Sequence, residues 1–394
     1  MAISTRATAA KAAVDVVASY FSRMQVVASD PEALVFAFGN PHEMALPGLP
    51  AAIRAHAEPR SVDWFAYKSS ERSAQDAVAA ALSGELGLDF DPEDIAMTQG
   101  AFGAMSLAFA LLADAGDEVV IPVPGWFCYP PMLRAADLVP VGAELAPGTF
   151  DLDVDAIARA ITRRTRIVIV NSPANPTGRV YPPSTWEALA AVLEEASRAH
   201  GRRIWLISDE PYRRIRFDRV GFTSPAAFYP WTVIDYSYGK VLLAPGARLG
   251  YLALSPLIPV AEREELRAAL FPLGLAIGWG FPDAVMQYSV PDLENLSIDL
   301  AELARKRDRM YGALTGAGYE LARPEGTFYL WGEAPGGNAQ AFCDALEERG
   351  VYVMPGSLFE QPRHFRISLT ATMTMIDRAI PHLVEVAADF NRTG

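Results

Sequence analysis

Three short stretches of the 394-residue chain put reactive side chains where apolar runs stop. RIVIV leads into Asn171-Ser-Pro-Ala-Asn175-Pro-Thr-Gly178, IWLIS into Asp209-Glu-Pro-Tyr212, and TVIDY into Ser237-Tyr-Gly-Lys240. A fourth, TQGAFGAM, opens an apolar stretch at Gly100, Ala101 and Phe102. Open α/β sheets bind ligands at the carboxyl ends of their strands, so the four loops are expected to meet at one edge. A lysine there is a candidate nucleophile, a carboxylate can hold a cation, and a glycine-rich helix start can cradle a phosphate. Taken singly, each stretch has a plainer reading. NPTG is commonly just a turn, Asp209 and Glu210 can be solvated loop carboxylates, and a lone Lys240 is usually a surface lysine. A single Gly-rich loop before a helix is a weak signal as well.

Together, in order and spacing, the stretches resemble the class I/II aminotransferases of fold type I, the aspartate aminotransferase-like group. The segment from Ser237-Tyr238-Gly239-Lys240 through Pro245-Gly246-Ala247-Arg248-Leu249-Gly250 is similar to the family's cofactor-attachment signature. NSPANPTG, SDEPY, PEGTFYL and FRISL are similar to other family landmarks and follow in the expected order. The resemblance covers most of the chain and is weakest before about Phe36.

The resemblance implies pyridoxal 5'-phosphate as cofactor, held by Lys240 as an internal aldimine, with the freed lysine moving the substrate α-proton. Asp209 is then the partner that keeps the pyridine nitrogen protonated, and Tyr212 and Asn175 are donors to the ring's phenolic oxygen. Ser237, Arg248 and the loop Gly100-Ala101-Phe102 would bind the phosphate. Ala101 and Phe102 bring no hydroxyl, so only their backbone amides can contribute. Trp126 in PVPGWFCY matches the aromatic that stacks on the ring, and Arg366 matches the arginine that clamps the substrate α-carboxylate. Gly39 in FAFGNP matches a glycine whose backbone approaches the substrate, although Asn40 follows it in place of the more usual acidic residue. Tyr67 resembles a tyrosine that reaches the phosphate of the neighbouring subunit, in a motif, WFAYKSS, that departs from the common one.

The implied enzyme is a homodimer that moves an α-amino group from an amino acid to a 2-oxo acid by a ping-pong route through pyridoxamine phosphate. A lyase, decarboxylase or oxidase on the same scaffold is the alternative, because site detail rather than fold sets the reaction. A non-catalytic sensor is disfavoured by the joint retention of Lys240, Asp209 and Arg366, and by the lack of room for a DNA-binding module before Phe36. The donor side chain is not legible at this level. Phenylalanines and tyrosines abound near the candidate stretches, and core packing accounts for most of them.

The elements that must position these residues follow from periodicity. From about Asp94 to Ser255, GDEVVIPV, RIVIVNSP, IWLISDE, WTVIDYS and LGYLALS alternate with amphipathic stretches such as STWEALAAVLEEASRAH, whose Leu189, Val192 and Leu193 share a face. This predicts an α/β fold with a large, mainly parallel sheet covered by helices. After Pro282, the charged helical pattern IDLAELARKRDRMYGALTGAG leads to GTFYLWGE, an Ala-rich helix around Phe342 to Arg349, VYVMPG and HFRISLTA, a smaller α+β unit. The expected division is a cofactor-binding domain over 43–282 and a small domain from 1–42 and 283–394, with a linking helix and the N-terminal helix packed there.

Composition is that of a folded globular chain, 51% hydrophobic and 21% charged. A net charge of −13 argues against nucleic acid or anionic membrane as partner. No run approaches the ~18 apolar residues of a membrane span. The opening MAISTRATAAKAAVDVVASYF has no continuous apolar stretch before a cleavage site, so a cytoplasmic location is expected. The two cysteines, Cys128 and Cys343, read as core filling, and the five histidines show no metal-binding spacing.

Overall fold

The apolar runs expected as strands lie side by side in the computed structural model, which describes residues 2–393. After a short strand β1 (Leu34–Val35), the large sheet is built from β2 (Ile95–Thr98), β3 (Glu118–Val123), β4 (Val139–Glu144), β5 (Thr165–Asn171), β6 (Trp205–Asp209), β7 (Thr232–Ser237) and β8 (Gly250–Leu254). Their spatial order is β2-β8-β7-β6-β5-β3-β4. Every residue of β3, β6, β7 and β8 is buried, which is why these runs lack polar alternation. Ile167, Ile169, Ile207, Val233 and Leu252 pack on one face against Ala104, Ala108 and Leu112 of the helix Gly100–Leu112. Val168, Val170 and Leu206 pack on the other against Trp186, Leu189 and Leu193 of the helix Pro183–His200.

The sheet is mainly parallel, with one reversal. β8 runs antiparallel to both its neighbours, β2 and β7. A parallel return requires a crossover of a dozen or more residues, usually a helix laid across the sheet. The stretch between β7 and β8 holds only the four-residue helix Tyr238–Val241 and a tight turn at Pro245–Ala247, so the chain doubles back beside β7. This reversal makes β8 begin at the edge where β2 and β7 finish. Gly250 is in register with Thr98 on one side and Ser237 on the other. Two strands go beyond the sequence reading. β2 is only four residues long, and β4 is a partly exposed edge containing Pro140 and Gly142.

Asp299 starts the helix Leu300–Gly316 by accepting from the backbone N–H groups of Ala301 and Glu302. Beyond it lie β9 (Leu321–Ala322), β10 (Tyr329–Glu333), β11 (Val351–Tyr352), β12 (Met354–Pro355) and β13 (His364–Ser368). β12-β13-β10-β9 form an antiparallel sheet, and β11 pairs in parallel with β1. Phe328, Leu330, Phe342, Leu346, Phe365, Ile367 and Leu383 form the core of this part. The N-terminal helix Thr5–Val27 does not pack on it alone. Tyr20 donates to the Val353 carbonyl at 3.0 Å, and Tyr20 and Met24 share one cluster with Trp331 and Phe359 from the smaller sheet's surroundings and Phe127 from the loop after β3. The helix therefore bridges both parts, because its apolar residues face the seam between them.

Candidate active site

The carboxyl ends of β5, β6 and β7 and the start of β8 open into one cavity. Asn175, Asp209, Tyr212, Ser237, Lys240 and Arg248 line it from the large sheet, and Tyr329 on β10 and Arg366 on β13 complete the lining.

Asp209 ends β6 and is 4% exposed. Tyr129 donates to its Oδ2, while Oδ1 is buried without a hydrogen-bond partner among the described residues. Burial pushes this carboxyl up to about 7; the Tyr129 hydrogen bond and the Lys240 charge pull it down, and Glu210 adds to the rise. The plainer reading of Asp209 and Glu210 as solvated loop carboxylates is therefore wrong. Glu210 is fully buried, where it accepts from Ser208 at 2.8 Å and Ser224 at 2.5 Å. Asn171 ties the loops together, donating from Nδ2 to the Asp209 carbonyl at 2.7 Å and accepting the Asn175 N–H at 2.6 Å.

Lys240 lies in the short helix capped by Ser237, and its Nζ is 5.7 Å from the centroid of the Tyr212 ring. Arg248 occupies the left-handed region at φ 47°, in the turn that leads into β8. Its guanidinium donates to the carbonyls of Pro245 (2.8 Å) and Gln99 (3.1 Å), and burial lowers its pKa. Gly100 starts its helix at φ 73°, and a Cβ there would stand 2.8 Å from Arg248 Nη2. A Cβ on Gly250 would meet the Tyr236 carbonyl oxygen at 2.3 Å and Gly100 Cα at 2.8 Å. The two glycines let a helix N-terminus and a guanidinium occupy one corner, a combination suited to an anion.

Arg366 is 2% exposed. It donates to Asn175 Oδ1 at 2.8 Å and to the Ala37 carbonyl at 2.9 Å, its carbon lies 3.9 Å from the Tyr329 ring centroid, and its buried Nε has no partner among the described residues. Because Asn175 Oδ1 is engaged, its amide N–H groups are what Asn175 has left to offer. The Tyr212 and Tyr329 hydroxyls are 3.4 Å apart. Burial raises Tyr212 well above the usual phenol range. Burial acts the same way on Tyr329, but the charges of Arg366 and Lys240 and the Tyr212 hydrogen bond hold it below that range. Trp126 stands edge-on to Phe102 (4.9 Å) and Tyr129 (5.3 Å). At Gly39 a Cβ would approach Phe328 to 2.5 Å, so only glycine lets this segment pass.

Gly39, Ala101, Phe102, Trp126, Asn175, Asp209, Tyr212, Ser237, Lys240, Arg248 and Arg366 thus meet at one cavity. Two expected residues lie off its wall. Gly100 abuts Arg248 instead, and Tyr67 is exposed, with its ring 4.8 Å from that of Phe281. Cys343 is core, but Cys128, expected as core too, lines the cavity because the turn Trp126-Phe127-Cys128 wraps around it. Burial pushes the Cys128 thiol up to about 12, so it stays protonated. Sequence reasoning missed Phe21, Phe38, Phe127 and Tyr329 as lining residues, Tyr129 as the Asp209 donor, and Asp235. Asp235 is in register with Asp209 on the face covered by the helix Gly100–Leu112, fully buried, with neither carboxyl oxygen bonded among the described residues. Burial, reinforced by Asp209 and Glu210 and opposed by the Tyr236 backbone N–H, raises its carboxyl well above the usual range. A lone acid in the apolar run TVIDY was the available signal.

A sequence profile described as aminotransferase class I and II matches residues 31–383. The chain belongs to this family. Similar proteins include an aspartate aminotransferase of Geobacillus stearothermophilus, 32% identical over 75% of this chain and 77% of that one. An aspartate/prephenate aminotransferase of Thermus thermophilus is 30% identical over 79% and 80% of the two chains. Among solved structures, an aminotransferase from Eubacterium rectale superposes with a TM-score of 0.90 at 28% identity, covering 99% of this chain and all (100%) of that one. The protein is a pyridoxal-phosphate-dependent aminotransferase. Its residues fit that cofactor on two independent grounds. The unpartnered, buried Oδ1 of Asp209 calls for a cationic donor, and the Gly100–Arg248 corner offers donors and positive charge to a phosphate.

Proposed function

We propose that this aminotransferase moves the α-amino group of an amino acid to a 2-oxo acid using Lys240 as the residue that bonds the cofactor. The observation that carries the reading is the convergence of Lys240, Asp209, Arg248 and Arg366 on one cavity. Pyridoxal phosphate, when bound, supplies an aldehyde that captures the amine and a ring that withdraws electrons from the α-carbon. Lys240 Nζ would be the group that bonds the cofactor, and as a free amine it would move the substrate α-proton. Asp209 keeps the ring nitrogen protonated through its free Oδ1, with Tyr129 fixing Oδ2. Tyr212 and the Asn175 amide would donate to the phenolic oxygen, and Trp126 would pack against the ring. Arg248, Ser237 and the N–H groups of the helix start at Gly100, Ala101 and Phe102 hold the phosphate.

Arg366 takes the substrate α-carboxylate, with the backbone at Gly39 close by. Tyr67 reaches the phosphate of a second subunit in a homodimer. Its exposure, with its ring beside that of Phe281, supports such a contact. We divide the chain into a cofactor-binding domain at 43–282 and a small domain of 1–42 and 283–394. Two free cysteines suit a reducing, cytoplasmic setting, and no helix among the described residues is long and apolar enough to cross a membrane. The test is a half-reaction. An amino acid added alone should convert the bound aldehyde to pyridoxamine phosphate, and a 2-oxo acid should restore it. Consumption of the amino acid without that conversion would move the assignment to a lyase, decarboxylase or oxidase.

A further inference from the structure

The cavity has a second wall that the proposed roles leave unused. Phe21, from the helix Thr5–Val27, stacks on Phe38 with centroids 4.1 Å apart and lies 6.1 Å from Phe127. Phe127 in turn lies 6.0 Å from the guanidinium carbon of Arg366. On the Trp126 side, Phe102 continues the aromatic surface. Phe21 and Phe102 remain 37% and 38% exposed, so part of this apolar surface waits for an occupant.

The charges of the cavity point the same way. Lys240, Arg248 and Arg366 are its cations, and each already has a task in the proposed reaction. The other polar side chains at hand are neutral or engaged. Asn171 bonds Asp209 and Asn175, Cys128 keeps its proton, and Asn40 carries no charge. Among the described residues of this subunit, a second carboxylate on the substrate would lie against phenyl rings with no further cation to pair it, and an unpaired buried charge is costly.

We infer that this enzyme's amino donor carries a large apolar or aromatic side chain, held by Phe21, Phe38, Phe127 and Phe102, and that dicarboxylic amino acids are poor donors. The inference rests on Arg366 being the α-carboxylate clamp of the proposed function. A donor anchored there meets the Phe127 ring within the reach of its side chain, and Phe21 and Phe38 extend the contact toward the N-terminal helix. It departs from the relatives named for aspartate.

Two measurements on the holoenzyme separate this inference from the transamination reading. The first is binding without turnover, with 3-phenylpropanoate and succinate titrated against cofactor absorbance or by calorimetry. 3-Phenylpropanoate should bind at least about tenfold more tightly, the scale of apolar pocket discrimination. The second is the half-reaction rate with phenylalanine, leucine, aspartate and glutamate. Phenylalanine and leucine should exceed the acidic donors by on the order of 100-fold. Phe21→Arg, at a half-exposed helix position, should shift the aspartate-to-phenylalanine ratio toward aspartate by about tenfold or more. Tighter succinate binding, or faster conversion by aspartate or glutamate, would overturn the inference, whether the missing cation came from this chain or from a second subunit. Preferential binding of 3-phenylpropanoate with no conversion by any donor would uphold the pocket and sink transamination instead.

Discussion

Replacing Asp209 by asparagine should have opposite effects on the empty and the loaded protein. The Asp209 carboxyl stands at about 7 in the folded chain, against 3.8 for an ordinary aspartate. At about 1.4 kcal/mol per pH unit, the difference is worth up to about 4 kcal/mol. Its sign follows from which state holds the proton. Between pH 3.8 and 7 the folded protein keeps a proton that the unfolded chain has released, so stability is full below 3.8 and declines as pH rises to the folded value. Above 7 the charged, buried carboxylate is carried in full. The substituted amide would be neutral throughout, so cofactor-free Asp209→Asn should match the parent protein at pH 4 and exceed it at pH 8 by up to about 4 kcal/mol. Chemical denaturation of both cofactor-free proteins at the two pH values measures this directly. In the holoenzyme the same substitution would remove the anion proposed to pair with the ring nitrogen, and kcat/KM should fall by about 100-fold or more. A cofactor-free variant less stable than the parent at pH 8, or a holoenzyme with near-normal turnover, would refute the reasoning.

Borohydride reduction followed by peptide mass analysis should place the cofactor label on Lys240, and Lys240→Ala should carry none; a label on another lysine would end that assignment. Arg366→Lys would lose the planar fork proposed to hold the α-carboxylate, so kcat/KM should drop by a similar factor, on the order of 100-fold, for every donor while a cofactor titration stays unchanged. Release of the cofactor instead would show that Arg366 acts elsewhere. Burial raises the Asp235 carboxyl, which favours its neutral form, so Asp235→Asn should leave cofactor-free stability at pH 8 within about 1 kcal/mol or raise it. A loss above about 2 kcal/mol would mean that Asp235 is ionised and partnered.

The strand-to-loop junctions were legible because they combine two signals, an apolar run with no alternation and a polar cluster at its end. β5, β6 and β7 announced Asn175, Asp209 and Lys240 in this way. β4 escaped because an edge strand need not be apolar, and Pro140 and Gly142 read as loop residues. The reversal of β8 had no periodic signature; it follows from the shortness of the stretch that precedes it. The aromatic wall was hidden for a different reason. Phe21 lies on a helix whose apolar residues read as core, and its meeting with Phe38 and Phe127 is purely tertiary. Tyr129 was likewise ordinary in sequence, and Asp235 offered only its isolation in an apolar run; a tertiary hydrogen bond and strand register place them beside Asp209.

β8 is the last strand of the large sheet to leave the ribosome, yet it lies between β2 and β7. Until it emerges, Ile95–Thr98 at the sheet's edge has no strand to pair with. Pairing across so much intervening chain is slow and leaves apolar surface exposed in the meantime. The corner suited to a phosphate is split across the same divide, with the helix start at Gly100 made early and Arg248 made just before β8. The two halves of this corner are therefore brought together only when β8 pairs with β2 and the sheet closes. The order of strands thus ties the meeting of Gly100 and Arg248 to the closure of the large sheet.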